Sequence, residues 1–249
     1  MGLRRWCLAA LCALLPLAAM AGSLRVGPTR VDLSPRHPVA VLAVQNTGDS
    51  ETLAQIDTLT WTQRAGEESL EPTTDLLATP LILSLAAGET RLVRVGLREP
   101  IVATVEQSYR VIVGEVAATS ATSNGLRFAV RISVPVFARA AEAASPTAKP
   151  SPAALSWTTL PGSPGCERIL VDNKSGRHEH VLHAELLAAN NDLLWQSGAP
   201  DYILAEARRS LSPQLCAPSS SRAATLRLTT ESGMITLPPA AAGMLVDAK

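Results

Sequence analysis

The side chains best able to do chemistry crowd into one heptapeptide, Arg177-His178-Glu179-His180-Val181-Leu182-His183, which holds three of the chain's four histidines. On an extended strand His178 and His180 point to one face and His183 to the other. Two imidazoles on one face are half of a zinc site, but no third ligand stands beside them and His37 is far away in sequence. The simpler reading is a polar turn after Lys174-Ser175-Gly176 that runs into a strand. No nucleophile elbow, H-E-x-x-H or phosphate-binding loop occurs anywhere in the chain. With no constellation to anchor catalysis, the expectation is a non-enzyme without metal or cofactor. Asn173-Lys174-Ser175 matches a glycosylation acceptor, but an asparagine-initiated turn explains it as well and is preferred.

The cysteines carry the next chemical signal. The chain opens MGLRRWCLAALCALLPLAAMAGS, with Arg4 and Arg5 ahead of an apolar run and Ala19-Met20-Ala21 as a small-x-small cleavage site. This is the pattern of a secretory signal peptide over residues 1–21. The apolar run falls short of the ~20 residues a membrane span needs. Cys7 and Cys12 would leave with it, so the exported chain would keep only Cys166 and Cys216. A lone cysteine pair in an oxidising compartment forms a disulfide, worth ~2–4 kcal/mol to the half it closes. The chain is expected to be exported, with no membrane insertion after cleavage.

Composition removes other classes. The 249 residues carry 22 Lys+Arg against 22 Asp+Glu, and aromatics are 3% of the chain. Nucleic-acid binders need a basic excess or stacking platforms, and neither is present. Hydrophobic residues at 47% are ample for a folded core.

The elements that would position any site read as short strands. Val26–Leu33, Val39–Val44 (ending at Asn46-Thr47-Gly48), Leu53–Trp61 and Thr90–Leu97 come first. Tyr109, Val111 and Val113 alternate with Arg110 and Ile112, and a final strand covers Leu126–Phe137. Strands at this spacing with no amphipathic helix between them predict an all-β fold. Residues 141–153, small and proline-rich, read as a linker. Beyond it Ala154–Leu160, Arg168–Asp172, Val181–Leu187, Ala224–Thr229 and Met234–Leu237 read as strands again. Two immunoglobulin-like β-sandwiches in tandem are therefore expected, over 22–140 and 154–249.

One strand is unusual. Leu126, Phe128, Val130 and Ile132 form an apolar row, with Arg127, Ala129, Arg131 and Ser133 opposite. Such a row either covers its own core or offers itself to another chain. Pro135 favours an edge position, because proline cannot donate to a central ladder.

Several stretches in order decide between these readings. Val26-Gly27-Pro28-Thr29-Arg30-Val31, Val44-Gln45-Asn46-Thr47-Gly48, Trp61-Thr62-Gln63, Leu77-Ala78-Thr79-Pro80, Val93-Arg94-Val95 and Gln107-Ser108-Tyr109-Arg110 resemble the periplasmic chaperones of the chaperone–usher pilus pathway. Leu126–Phe137 resembles that family's donor strand. The second half matches mainly in size and in its cysteine pair. The resemblance implies a boomerang of two sandwiches whose last first-domain strand completes the unfinished sandwich of a pilus subunit before delivery to an outer-membrane usher. Leu126, Phe128, Val130 and Ile132 would be the donated row. It also implies two cleft cations that hold the subunit's C-terminal carboxylate. Arg30 matches the first. The second, a lysine in the family, falls on Pro135, which leaves Arg131 or Arg94 as replacements.

Two rival readings stay open on the residues alone. An exported adhesin or surface-binding module of the same fold would bury the apolar row in its own domain and lack a cationic cleft. A metal-binding protein centred on His178 and His180 would bring a carboxylate or His37 within reach of both.

Overall fold

Strands account for all regular structure in the computed structural model, which describes residues 24–102, 104–116, 129–139, 154–161, 166–211 and 225–238. The expected signal peptide, linker residues 141–153, Leu126, Phe128 and Cys216 lie outside these described residues.

The first sandwich packs two sheets. One orders β1 (Leu24–Gly27), β3 (Val39–Asn46), β8 (Thr90–Leu97) and β6 (Leu76–Thr79). The other orders β2 (Val31–Leu33), β10 (Arg131–Ala138), β9 (Gln107–Glu115), β4 (Thr52–Arg64) and β5 (Glu67–Pro72), with β7 (Ile82–Leu85) also on β4. Alternation explains the core. Leu42, Val44, Val93 and Val95 face inward from one sheet, and Ile56, Val111, Val113, Val134 and Val136 from the other. Each such side chain removed from water contributes about 1.5–3 kcal/mol.

The second sandwich orders β11 (Leu155–Pro161), β12 (Glu167–Asn173) and β16 (Arg208–Ser210) in one sheet. Its other sheet orders β14 (Leu193–Gln196), β13 (Glu179–Leu187), β17 (Thr225–Thr230) and β18 (Gly233–Leu237), with β15 (Asp201–Ile203) on β13. Trp157, Ile169, Val171, Leu186, Leu226 and Leu228 fill the space between. Cys166 is disulfide-bonded.

The segment Val26–Leu33, expected as one strand, is two. β1 pairs with β3, whereas β2 pairs in parallel with β10 in the opposite sheet. Pro28 has no N–H to continue a ladder, and the chain changes sheets there. β5, β14, β15 and β16 escape the sequence pattern for a related reason. β5 exposes nearly every side chain, and β15 and β16 are three residues each, so neither shows a readable alternation.

Both sandwiches use one turn device. Asn46 is fully buried, and its amide donates to the carbonyls of Ser50, Leu85 and Ala86 while its oxygen accepts from Gly48 N–H. Asn173 repeats this, donating to the carbonyls of Arg177, Ile203 and Leu204 and accepting from Ser175 N–H. The Asn173 amide is thus occupied by the asparagine-initiated turn preferred from sequence.

Candidate functional site

Strand β10 is held differently along its length. Val136–Ala138 are hydrogen-bonded between β9 on one side and β2 on the other. Arg131–Pro135 pair with β9 alone, so their other edge has no partner strand among the described residues. The pairing reaches one residue further, where Glu115 N–H donates to the Val130 carbonyl. Val130 and Ile132 are half-buried, and Ile132 packs against the first core.

Register places the cations. Val31 lies opposite Val136, so Arg30, one residue earlier, falls beside Pro135. On the other flank Pro135 pairs with Arg110. All three share the outward face, because Val134 and Val136 of β10 and Tyr109 and Val111 of β9 point into the core. Arg131 shares this face but lies four residues up the strand, exposed, 3.9 Å from Asp57. Arg94, offered from sequence as a replacement, does not lie on a strand next to β10. It sits on β8, between β3 and β6 in the opposite sheet, where its alternation partners Val93 and Val95 take the core positions.

The face bearing Arg30, Pro135 and Arg110 looks onto the second sandwich. Trp61, Phe137 and Leu204 form a small buried cluster there, with Tyr202 against it. His178 stacks on Phe137 with centroids 3.6 Å apart, and His180 stacks on Tyr202 at 4.1 Å. The two histidines do share a face, since both rings lie against Tyr202. Glu106, whose side chain is wholly buried, accepts from His178 N–H at 3.0 Å, meets its Nδ1 at 2.6 Å and lies 3.6 Å from Arg139. Gln63 clasps the second sandwich with both ends of its amide, donating to Tyr202 O and accepting from Leu204 N–H. The β4–β5 turn docks as well. Ser210 N–H donates to Gly66 O, and a Cβ on Gly66 (φ +88°) would stand 2.7 Å from Leu170 Cδ1. Only glycine suits that conformation and that approach.

Charge is distributed unevenly across this wall. Arg30 donates to Asp32 at 3.2 Å and to Glu231, from the second sandwich, at 2.6 Å. Burial works against the Arg30 charge, but the bond to Glu231 and the neighbouring Asp32 lift the guanidinium above its ordinary value. Glu231 also meets His180 Nδ1 at 2.8 Å. Burial pushes Glu231 up, and the bonds from Arg30 and His180 overcome this and hold its carboxyl below the usual range. Arg110 lies over the Trp61 ring at 3.7 Å, and burial lowers its pKa. Burial raises the Tyr202 phenol, against the pull of Arg30 and Arg110.

Among the described residues, no group of three His, Cys, Asp or Glu side chains is placed to hold a metal. The sequence reading missed Glu106, Arg110, Tyr202 and Glu231. They are scattered over the chain, and only the juxtaposition of the two sandwiches brings them together.

Two immunoglobulin-like sandwiches in tandem are the two-domain fold of pilus-assembly chaperones. Residues 23–143, just under half of the chain, match the family described as "Pili and flagellar-assembly chaperone, PapD N-terminal domain". The family is one of chaperones rather than enzymes. No curated protein matches the sequence. Solved structures do match the fold. The chaperone in the CsuC–CsuE chaperone–tip subunit pre-assembly complex of Acinetobacter baumannii archaic chaperone–usher pili is similar at TM-score 0.66 and 19% identity, over 87% of this chain and 98% of that one. The Salmonella enterica SafA pilin–SafB chaperone complex matches at 0.60 and 18%, over 89% and 98%. The Pseudomonas aeruginosa CupB2 chaperone matches at 0.57 and 16%, over 87% and 100%.

Proposed function

We propose that this protein is a periplasmic chaperone that binds pilus subunits by donor-strand complementation and passes them to an outer-membrane usher. The open edge of β10 over Arg131–Pro135 supports this reading most directly. An extended chain added there would meet unpaired main-chain groups, and alternate apolar side chains would fill its groove. Leu126, Phe128, Val130 and Ile132 form the donated row, each large apolar side chain worth about 1.5–3 kcal/mol once buried in the subunit. Arg30, at the same edge, takes a carboxylate of the subunit, a task that suits the planar guanidinium fork.

The test is to purify the tagged protein from the periplasm of its own host and identify bound chains by mass spectrometry. A stoichiometric exported β-rich subunit, lost on Arg30→Ala while the melting temperature holds, is the expected result. A partner-free protein from a piliated host would overturn the reading in favour of a surface-binding module.

A further inference from the structure

The β4–β5 hairpin reaches further than its own sandwich requires. β4 pairs with β9 only as far as Thr60, yet its ladder with β5 continues to Arg64 opposite Glu67. Ala65 (φ 51°) and Gly66 (φ +88°) close the hairpin with two left-handed residues, the two-residue turn whose twist matches that of the flanking strands. The projecting end is therefore a stiff arm rather than a loose loop. Its root is tied to β10, because Trp61 packs on Phe137 with ring centroids 6.0 Å apart.

The arm ends on the second sandwich, against Leu170. Ile169 and Val171 point into that sandwich's core, so Leu170 between them faces outward. An outward leucine would ordinarily be open to water, yet Leu170 has no exposed surface. Gly66 stands against it: a Cβ there would lie 2.7 Å from Leu170 Cδ1 and 3.3 Å from Ser210 Cβ. Ser210 N–H donates to Gly66 O at 3.0 Å, and Gly66 bridges Arg209 in parallel. The turn thereby adds one point of ladder to β16, at the edge of the β11–β12–β16 sheet. Three residues earlier, Gln63 donates to Tyr202 O at 2.7 Å and accepts from Leu204 N–H at 3.0 Å. The ion pairs of Glu67 with Arg168 and of Glu68 with Arg209 are solvent-screened or long, so they add less than these buried contacts.

We infer that this hairpin is a positioning arm: seated on Leu170 and bonded to β15 and β16, it fixes the second sandwich relative to the open half of β10. Gly66 is the residue that permits the seat. The ties run through residues 63–66, not through the segment that joins the sandwiches in sequence. What the positioning serves rests on the proposed chaperone function. β10 leads to Phe137, which touches the second sandwich through His178. A subunit added along β10 therefore meets both sandwiches, and a sandwich already held in place need not be ordered when the subunit binds.

Two experiments test this. In the first, amide residual dipolar couplings are measured on the 15N-labelled protein in a dilute aligning medium. One alignment tensor should fit both sandwiches of the wild type. Gly66→Asn is the decisive variant, because asparagine tolerates a left-handed φ while its side chain enters the space held by Leu170 and Ser210. In that variant the couplings of the second sandwich should shrink relative to those of the first. Gly88→Asn is the matched control. Gly88 has φ +76° and no atom within 4 Å of an added Cβ, so a single tensor should remain. Gln63→Ala removes two ties without adding bulk, should shrink the same couplings, and decides the point should Gly66→Asn fail to fold. Two tensors in the wild type, or a single tensor in both Gly66→Asn and Gln63→Ala, would overturn the inference. In the second experiment, the subunit that co-purifies with the wild type is rebound to the variants. Gly66→Asn and Gln63→Ala should weaken binding about tenfold, the cost of ordering a loosened sandwich on association, and Gly88→Asn should leave it unchanged. Unweakened binding by variants whose sandwiches have come loose would overturn the positioning role. Should the wild type capture no subunit, the chaperone reading falls while the couplings still decide whether the hairpin fixes the second sandwich.

Discussion

The two halves of β10 make opposite use of the same backbone. Val136–Ala138 sit between two ladders, and Val136, Phe137 and Ala138 have no exposed surface. Among the described residues Arg131–Pro135 have one ladder, and Arg131 and Ser133 lie open. One half fastens the strand, while the other remains available. An unprotected edge is normally a hazard, and fastening one end is what keeps such a strand in register while it waits for a partner. The fastened half also reaches across to the second sandwich, through the Phe137 stack on His178. The strand that would be lent is therefore tied into the interface that shapes the cleft.

Substitutions can break that contrast. Phe137→Ala carries the largest expected effect, a loss of about 3–5 kcal/mol, because it empties a fully buried site shared by both sandwiches. Thermal unfolding should show the melting temperature falling steeply. Val130→Glu, on the open half, should cost about 1 kcal/mol of stability and yet sharply reduce subunit retention. If the two variants were equally destabilised, the halves would not differ as described.

Glu231→Gln sharpens the comparison at the cleft mouth. The folded Glu231 carboxyl is held below its ordinary value of 4.5, so its contribution is fully present above that pH and lost as pH falls below it. Wild type and Glu231→Gln should accordingly differ in melting temperature near neutrality and converge in acid. At neutral pH the variant should also bind subunit more tightly, since the internal competitor for Arg30 is gone. A gap that widened in acid would contradict the assigned pairing. Arg131→Gln should do least. Its contact with Asp57 is long and exposed, and such pairs contribute ~0–1 kcal/mol. An unchanged melting temperature is expected, and a large loss would mean that this end of the strand is also fastened.

Much of this molecule was legible in the chain. Alternation at Val93 and Val95, and at Tyr109, Val111 and Val113, marked strands and their inward faces correctly, because a half-buried strand must repeat every two residues. The Asn46 and Asn173 turns were visible because an asparagine amide satisfies backbone groups locally. Pro135 announced an edge. His178 and His180 were placed on one face, but nothing local said that Phe137 and Tyr202 would be the surfaces they meet.

What sequence could not assign was which distant strands become neighbours. Arg94 and Arg110 look alike in a linear reading, one an arginine between two valines and the other between a tyrosine and a valine. Sheet order separates them, sending Arg94 to the far sheet and Arg110 to the strand beside Pro135. The meeting of Arg30 with Glu231, and of Glu106 with His178, depends likewise on how the sandwiches pack. Periodicity and turn chemistry are local and write themselves into consecutive residues. Strand order and the contact between the sandwiches are set by the summed burial of remote surfaces, which no short stretch of sequence records.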